Sequence, residues 1–204
     1  TYHARWASLI GLYTGARASE VGQLLVADIL KEDGIDCIRI SDEGANQNLK
    51  TVASNRVVPI HADIIALGFL DFVKSVKGPR LFHNARDGAI NGAGNWITKF
   101  FSRHIKPASE AWEPAKRGFH SLRKTAIQEM QTRGVASEMR AQLVGHELDD
   151  EHHIIYSRPF TPPEKLNGLI TDEFKTAGLS SLRYGLDLDA LRPLLAISAS
   201  KRPT

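Results

Sequence analysis

In the stretch LVGHELDDEHHIIYSR, residues 143–158, Tyr156 follows His146 by ten positions, with two further histidines and four carboxylates close by. A phenol with an ordinary pKa near ~10 is a poor nucleophile at neutral pH. It becomes a useful one where cations and a base lower the cost of ionising it. The chain offers such groups elsewhere: Arg17 in TGARASEV, Lys50 in LKTVASNRVVPIH, and His120 with Arg123 in GFHSLRKTAIQEM. The spacing of three between His120 and Arg123 puts both on one face of a first helical turn, and a guanidinium fork matches two phosphate oxygens in a way an ammonium cannot. By residue type alone each also has an ordinary reading. Arg17 and Arg123 could be solvated or salt-bridged at the surface, and Lys50 could be an exposed edge-strand charge.

A metal reading of His146, His152 and His153 is weak. Adjacent histidines in one loop rarely face the same ion, and neither an H-x-x-x-H spacing nor a cysteine partner accompanies them. No metal or other cofactor is expected. Of the four tyrosines, Tyr2 and Tyr184 lie apart from these motifs and Tyr13 sits on a helix expected to face the core just before Arg17, so Tyr156, which alone follows the Gly145–His146 element, is the candidate nucleophile.

The elements that must position these residues are short. YHARWASLIGLYTG predicts a helix stopped at Gly15. Ser19 is a candidate N-cap for a second helix, EVGQLLVADIL, with Val21, Leu24 and Leu25 on one face. Three strands, IDCIRI, NQNLKTV and NRVVPIH, follow, the last two as a hairpin that places Lys50 on a strand. Helices are predicted over 63–77, over GAGNWITKFFSRHIK with Trp96, Ile97, Phe100, Phe101 and Ile105 as its core face, and from His120 to about Arg133. Ser137 caps the next helix and Gly145 stops it just before His146. After Tyr156, PFTPPEKLNGLI and LDALRPLLAI read as a loop with helical pieces. The fold class expected is α+β, mostly helical, with a small three-stranded antiparallel sheet.

Composition limits the alternatives. The 204 residues are 42% hydrophobic and 24% charged, ordinary for a globular protein. No run of about 18 apolar residues or signal peptide is present. The single cysteine, Cys37, excludes an internal disulfide framework, fits a reducing compartment and reads as a small buried hydrophobe. The formal charge is +3, and from Lys99 to Arg133 eight basic residues face three acidic ones, a hint of a polyanionic partner. The chain opens at Thr1 inside a helix-like segment, as a fragment or processed chain lacking an upstream domain would.

Taken in order, Arg17 in TGARASE, Lys50 in the hairpin, HSLR at 120–123, LVGH at 143–146 and then Tyr156 resemble the tyrosine recombinases of the phage-integrase type, and NRVVPIH resembles the strand that follows that family's lysine. The resemblance covers about residues 5 to 158. It implies the family's DNA breaking-rejoining catalytic fold over 1–160 and a C-terminal tail, 161–204, that packs on a neighbouring protomer. It also implies a DNA-binding domain upstream of this chain. The activity implied is site-specific recombination of double-stranded DNA, integrating or excising a phage or mobile element, with protomers assembled as a homo-tetramer on DNA. Tyr156 would be the nucleophile that forms a 3′-phosphotyrosyl link, and Arg17 and Arg123 the clamp on the non-bridging oxygens. Lys50 would be the general acid, His120 the proton-transfer partner of the tyrosine, and His146 a phosphate hydrogen-bond donor. Neither metal nor ATP is required, and the location implied is cytoplasmic and nucleoid-associated, in a bacterium or encoded by a phage.

The sequence departs from the family in three places. Lys124 stands where many relatives carry a histidine, the span from His146 to Tyr156 is one residue longer than in many members, and ELDDE brings acid close to the nucleophile. Two other classes compete: a DNA-binding module that keeps the fold without the chemistry, and a type IB topoisomerase-like enzyme that relaxes DNA as a monomer. A module that only binds has no need of Lys50 or Tyr156.

Overall fold

The computed structural model describes residues 2–44, 46–85, 92–104, 118–146, 158–172 and 174–196. Tyr156, His152, His153, the acidic run 147–151, Ile105 and the Pro- and Ala-bearing loop 106–117 lie outside the described residues. The fold is α+β and about half helical, with a small three-stranded antiparallel sheet. Among the described residues no helix is long and apolar enough to cross a membrane.

Helix α1 (Tyr2–Thr14) runs through the core, burying Trp6, Ile10 and Tyr13, and ends at Gly15 as its sequence predicts. Helix α2 (Ala18–Gly22) is one turn and a half long, a correction to the longer helix expected there. Its N-cap is Arg17 rather than Ser19, with the Glu20 carboxylate accepting from the Arg17 backbone N–H at 2.9 Å. Val21 and Leu24 are buried, but the chain then leaves helical geometry, because the backbone around Leu25 pairs with residues 79–81 instead. A 3₁₀ turn (Val26–Asp28) leads into β1 (Ile29–Glu32), which pairs with β2 (Ile35–Ile40) across Asp33–Gly34. Both turn residues have positive φ, 48° and 78°. Asp-Gly is a strong two-residue hairpin signal, and it sits within the segment whose apolar spacing suggests helix.

The third strand is β3 (Arg56–Pro59), antiparallel to β2. Residues 46–52 are no strand, a second correction. Gln23 and Asp28 capture this segment through side chains: Gln47 Nε2 donates to Asp28 Oδ2 at 2.8 Å and to the Gln23 carbonyl at 3.2 Å, and the Asn48 N–H donates to Gln23 Oε1 at 3.0 Å. Lys50 therefore lies in the loop between β2 and β3, ahead of a 3₁₀ turn at Val52–Ser54.

The predicted helix over 63–77 is broken by Gly68 (φ 92°) into α3 (Ala62–Ala66) and α4 (Phe69–Ser75). In α5 (Asn95–His104) only Ile97 is fully buried; Trp96 and Phe101 lie against the core, while the Phe100 ring stacks on His104. Helix α6 (His120–Thr132) starts and stops where expected. Helix α7 (Ser137–Val144) ends at Gly145, but its N-cap is Ala136 rather than Ser137.

Residues beyond 160 build into the same core. Thr161 and Glu164 cap α8 (Pro162–Asn167) reciprocally, and Lys165 Nζ reaches the Val57 carbonyl of β3 at 3.0 Å. A two-stranded hairpin, β4 (Leu169–Ile170) and β5 (Lys175–Thr176), ties to the end of α6 through Thr176 Oγ1 and the Gly134 carbonyl. Leu179, Leu182 and the Leu195 of α9 (Leu188–Leu195) are buried, and the Tyr184 hydroxyl donates to the Leu12 carbonyl of α1 at 2.9 Å. One hydrophobic cluster thus runs through both sides of residue 160.

Candidate active site

Three arginines meet where α1, α2, β3, α6 and α7 converge. Arg123 is 2% exposed, and its Nη1 donates to the carbonyls of Gly15 and Val144, each at 2.6 Å. Those oxygens belong to the C-terminal ends of α1 and α7, where carbonyls have no partner within the helix and where a cation is favoured by the helix dipole. Arg56 is used in the same way: Nε donates to the Leu143 carbonyl at 2.9 Å, Nη1 to the Ser54 carbonyl at 2.7 Å, and Nη2 to Glu20 Oε2 at 2.8 Å. Arg17 is half-buried, its Nη1 shared between Glu20 Oε1 at 2.6 Å and Ser54 Oγ at 3.0 Å. The helix ends make this gathering of like charges tolerable, and among the described residues Glu20 supplies the one carboxylate bonded to it.

Glu20 feels burial, which raises its carboxyl, but Arg56 and Arg17 outweigh that and hold it below the usual carboxylate range. It stays ionised, bridging two guanidiniums. Among the described residues three cations stand against one anion, and this surplus acts on the neighbouring groups. Burial first, then Arg17 and Arg56, lower Arg123 to about 10. Burial lowers His120, and Arg123, Lys124 and Arg17 lower it further. His146 is lowered by burial and then by Arg123, Arg17, Arg56 and His120. Both imidazoles remain accessible to solvent and are neutral at pH 7, hence able to accept a proton or donate a hydrogen bond.

Among the described residues one enclosed donor of this cluster has no acceptor: Arg123 Nη2 makes no hydrogen bond. An unpaired polar atom of a buried cation is costly, on the order of 1–3 kcal/mol or more, and calls for an explanation. An anion brought against Arg123 between His120 and His146 would satisfy it.

Gly145 is part of the construction. Its φ of 67° is left-handed, and a Cβ there would stand 2.6 Å from Arg56 Nη1 and 3.0 Å from Ser54 Cα. The glycine thus turns the chain toward His146 and lets the end of α7 close onto Arg56.

Of the six residues singled out in the sequence, Arg17, His120, Arg123 and His146 come within electrostatic reach of one another. Lys50 is exposed, on the loop whose Thr51 hydroxyl lies 3.1 Å from Ser54 Oγ, and its side chain makes no hydrogen bond among the described residues. Tyr156 is outside the described residues. Arg56 was not singled out in the sequence, where it reads as one more strand residue. Two of its three partners lie 36 and 87 positions away, so no local spacing announces its role. Among the described residues no group of three or more His, Cys, Asp or Glu is arranged to hold a metal ion.

The arrangement can bind and polarise a phosphate-like anion, with two neutral imidazoles beside it to handle protons. Compared with family models, curated proteins and solved structures, the chain finds no match.

Proposed function

We propose that the chain is the catalytic domain of a tyrosine-type site-specific DNA recombinase, an integrase of a phage or other mobile element, with the tyrosine-recombinase fold. The observation that carries this is the enclosed, unpartnered Arg123 Nη2 in a corner with surplus positive charge. A phosphodiester oxygen is the matching acceptor: anionic, and able to take two donors from a guanidinium fork. The ordered series Arg17, Lys50, His120, Arg123, His146 and Tyr156 supplies the rest.

In the proposed reaction the Tyr156 oxygen attacks the scissile phosphorus and the bond to the 5′-oxygen breaks. Arg17 and Arg123 neutralise charge growing on the non-bridging oxygens. His120, kept neutral at pH 7, takes the phenol proton, and His146 donates a hydrogen bond to the phosphate. Lys50, on a loop next to the cluster, protonates the leaving 5′-oxygen. The 3′-phosphotyrosyl bond retains the energy of the diester, so a 5′-hydroxyl can reverse the step on the same or another strand without ATP or metal. Exchange between two sites requires four protomers on DNA, and a cytoplasmic, nucleoid-associated location suits such a substrate.

The test is a nicked suicide duplex carrying the element's own attachment site, incubated with the full-length protein in chelator. A denaturant-resistant protein–DNA adduct is expected, and Tyr156→Phe should abolish it. An adduct surviving that substitution overturns the nucleophile assignment, and DNA binding without any adduct favours the module that only binds.

A further inference from the structure

We propose that Arg56, which contributes no donor to the anion, is a positioning residue that sets the spacing of the groups that do. This rests on the phosphate-binding reading of the site given above. Each of the three donor nitrogens of Arg56 is bonded to a different part of the site. Nη2 holds Glu20, which in turn holds Arg17; Nη1 holds the Ser54 carbonyl at the end of the loop that carries Lys50; Nε holds the Leu143 carbonyl, three residues before His146. The Ser54 hydroxyl closes a second path, accepting from Arg17 while lying beside Thr51. Three segments distant in sequence are thereby referred to one rigid planar group.

A lysine could not do this. An ammonium is a point donor, and it cannot span a carboxylate and two carbonyls lying in different directions. Arg56 is as deeply buried as Arg123 and differs from it in bonding: each of its three nitrogens already holds a protein acceptor, whereas Arg123 Nη2 has none among the described residues. Gly145 fits the same role, since any Cβ there meets Arg56 Nη1 or Ser54 and would force the hub apart. Groups that orient direct ligands commonly act this strongly without touching the ligand.

The test separates geometry from charge. Arg56→Met combined with Glu20→Gln removes one cation and one anion, leaving the formal charge of the corner unchanged, and the amide oxygen at position 20 can still accept from Arg17. Inorganic phosphate is titrated into the full chain at pH 7, and the His120 and His146 side-chain resonances are followed by NMR. The unaltered chain should show saturable shifts, and the double variant should bind about tenfold more weakly at a temperature where circular dichroism shows both folded. Tyr13→Phe, which removes a 2.6 Å bond to Asp63 Oδ2 on the other side of α1, serves as control: it should lower Tm and leave phosphate affinity unchanged.

Equal affinity in the double variant overturns the proposal, as does absence of any phosphate response in the unaltered chain. So does an equal loss of affinity in the Tyr13→Phe control, which would mean that affinity follows stability alone. Should the double variant fail to fold, Arg56→Lys is read in its place, with the same tenfold loss expected and the same overturning result. A chain that responds to phosphate and loses the response on substitution, yet forms no adduct with a suicide duplex, supports the positioning role and overturns the recombinase reading alone.

Discussion

At the N-terminal end of α1, His3 is enclosed by rings: His83 at a centroid distance of 4.1 Å, Phe72 at 5.8 Å and Phe82 at 5.9 Å. At the C-terminal end of the same helix, Arg123 is equally enclosed, but by carbonyl oxygens of two helix ends. The first enclosure offers nothing to an imidazolium, and burial, then His83, lower His3 to about 4. The second keeps its charge, because a guanidinium loses its proton only with difficulty and here has acceptors to bond. Tyr13, near the end of α1, is settled in a third way. Its hydroxyl donates to Asp63, and burial with that bond pushes its ionisation far upward. Burial of an ionisable group is therefore not in itself a mark of function. His3 and Tyr13 are made neutral, whereas among the described residues the Arg123 corner keeps surplus charge and one enclosed donor without an acceptor.

The contrast can be broken most severely at Glu20. Glu20→Leu leaves Arg56 and Arg17 without their carboxylate in a buried setting, and should cost about 3–5 kcal/mol in urea unfolding. A loss under 1 kcal/mol would mean that the helix-end carbonyls alone carry these cations. Next comes Arg123→Lys, which keeps the charge and abandons the fork. Adduct formation on a suicide duplex should fall by about 10²–10³-fold, while the folded fraction is retained.

At the other end of α1 the effect is one of pH. The folded-state pKa of His3, about 4, lies below its ordinary 6.5. The unfolded chain therefore binds the extra proton first as pH falls. Stability from this group is complete above about pH 6.5 and lost progressively down to about pH 4, by about 3 kcal/mol at most. His3→Phe should flatten that limb of a stability–pH curve while leaving phosphate binding untouched; an unchanged limb would assign the acid sensitivity to other groups. The smallest effect is expected for Tyr13→Phe, about 1.5 kcal/mol for one hydrogen bond to a carboxylate, read as a shift in urea midpoint.

Much of the scaffold was legible where the determinants are local. Gly15, Gly134 and Gly145 end their helices where the spacing of apolar residues and the glycine together say they should. The errors have physical causes. VADIL carries helical spacing, yet Val26 and Leu24 pair with the chain at 79–81 and Asp33–Gly34 turns the following residues into a hairpin. Residues 46–52 look like a strand, but Gln23 and Asp28 satisfy their polar groups from the side. Lys50 was moved from strand to loop by that capture.

For the candidate site, residue type left Arg17, His120, Arg123 and His146 each with an ordinary surface reading, and the resemblance of their ordered series to a known family is what singled them out. Convergence was legible in neither. Which carbonyls hold Arg123, why Glu20 stays ionised, and that Arg56 joins three distant segments all depend on groups up to 108 positions apart. Such contacts form only when packing brings helix ends together and excludes the water that would otherwise satisfy them.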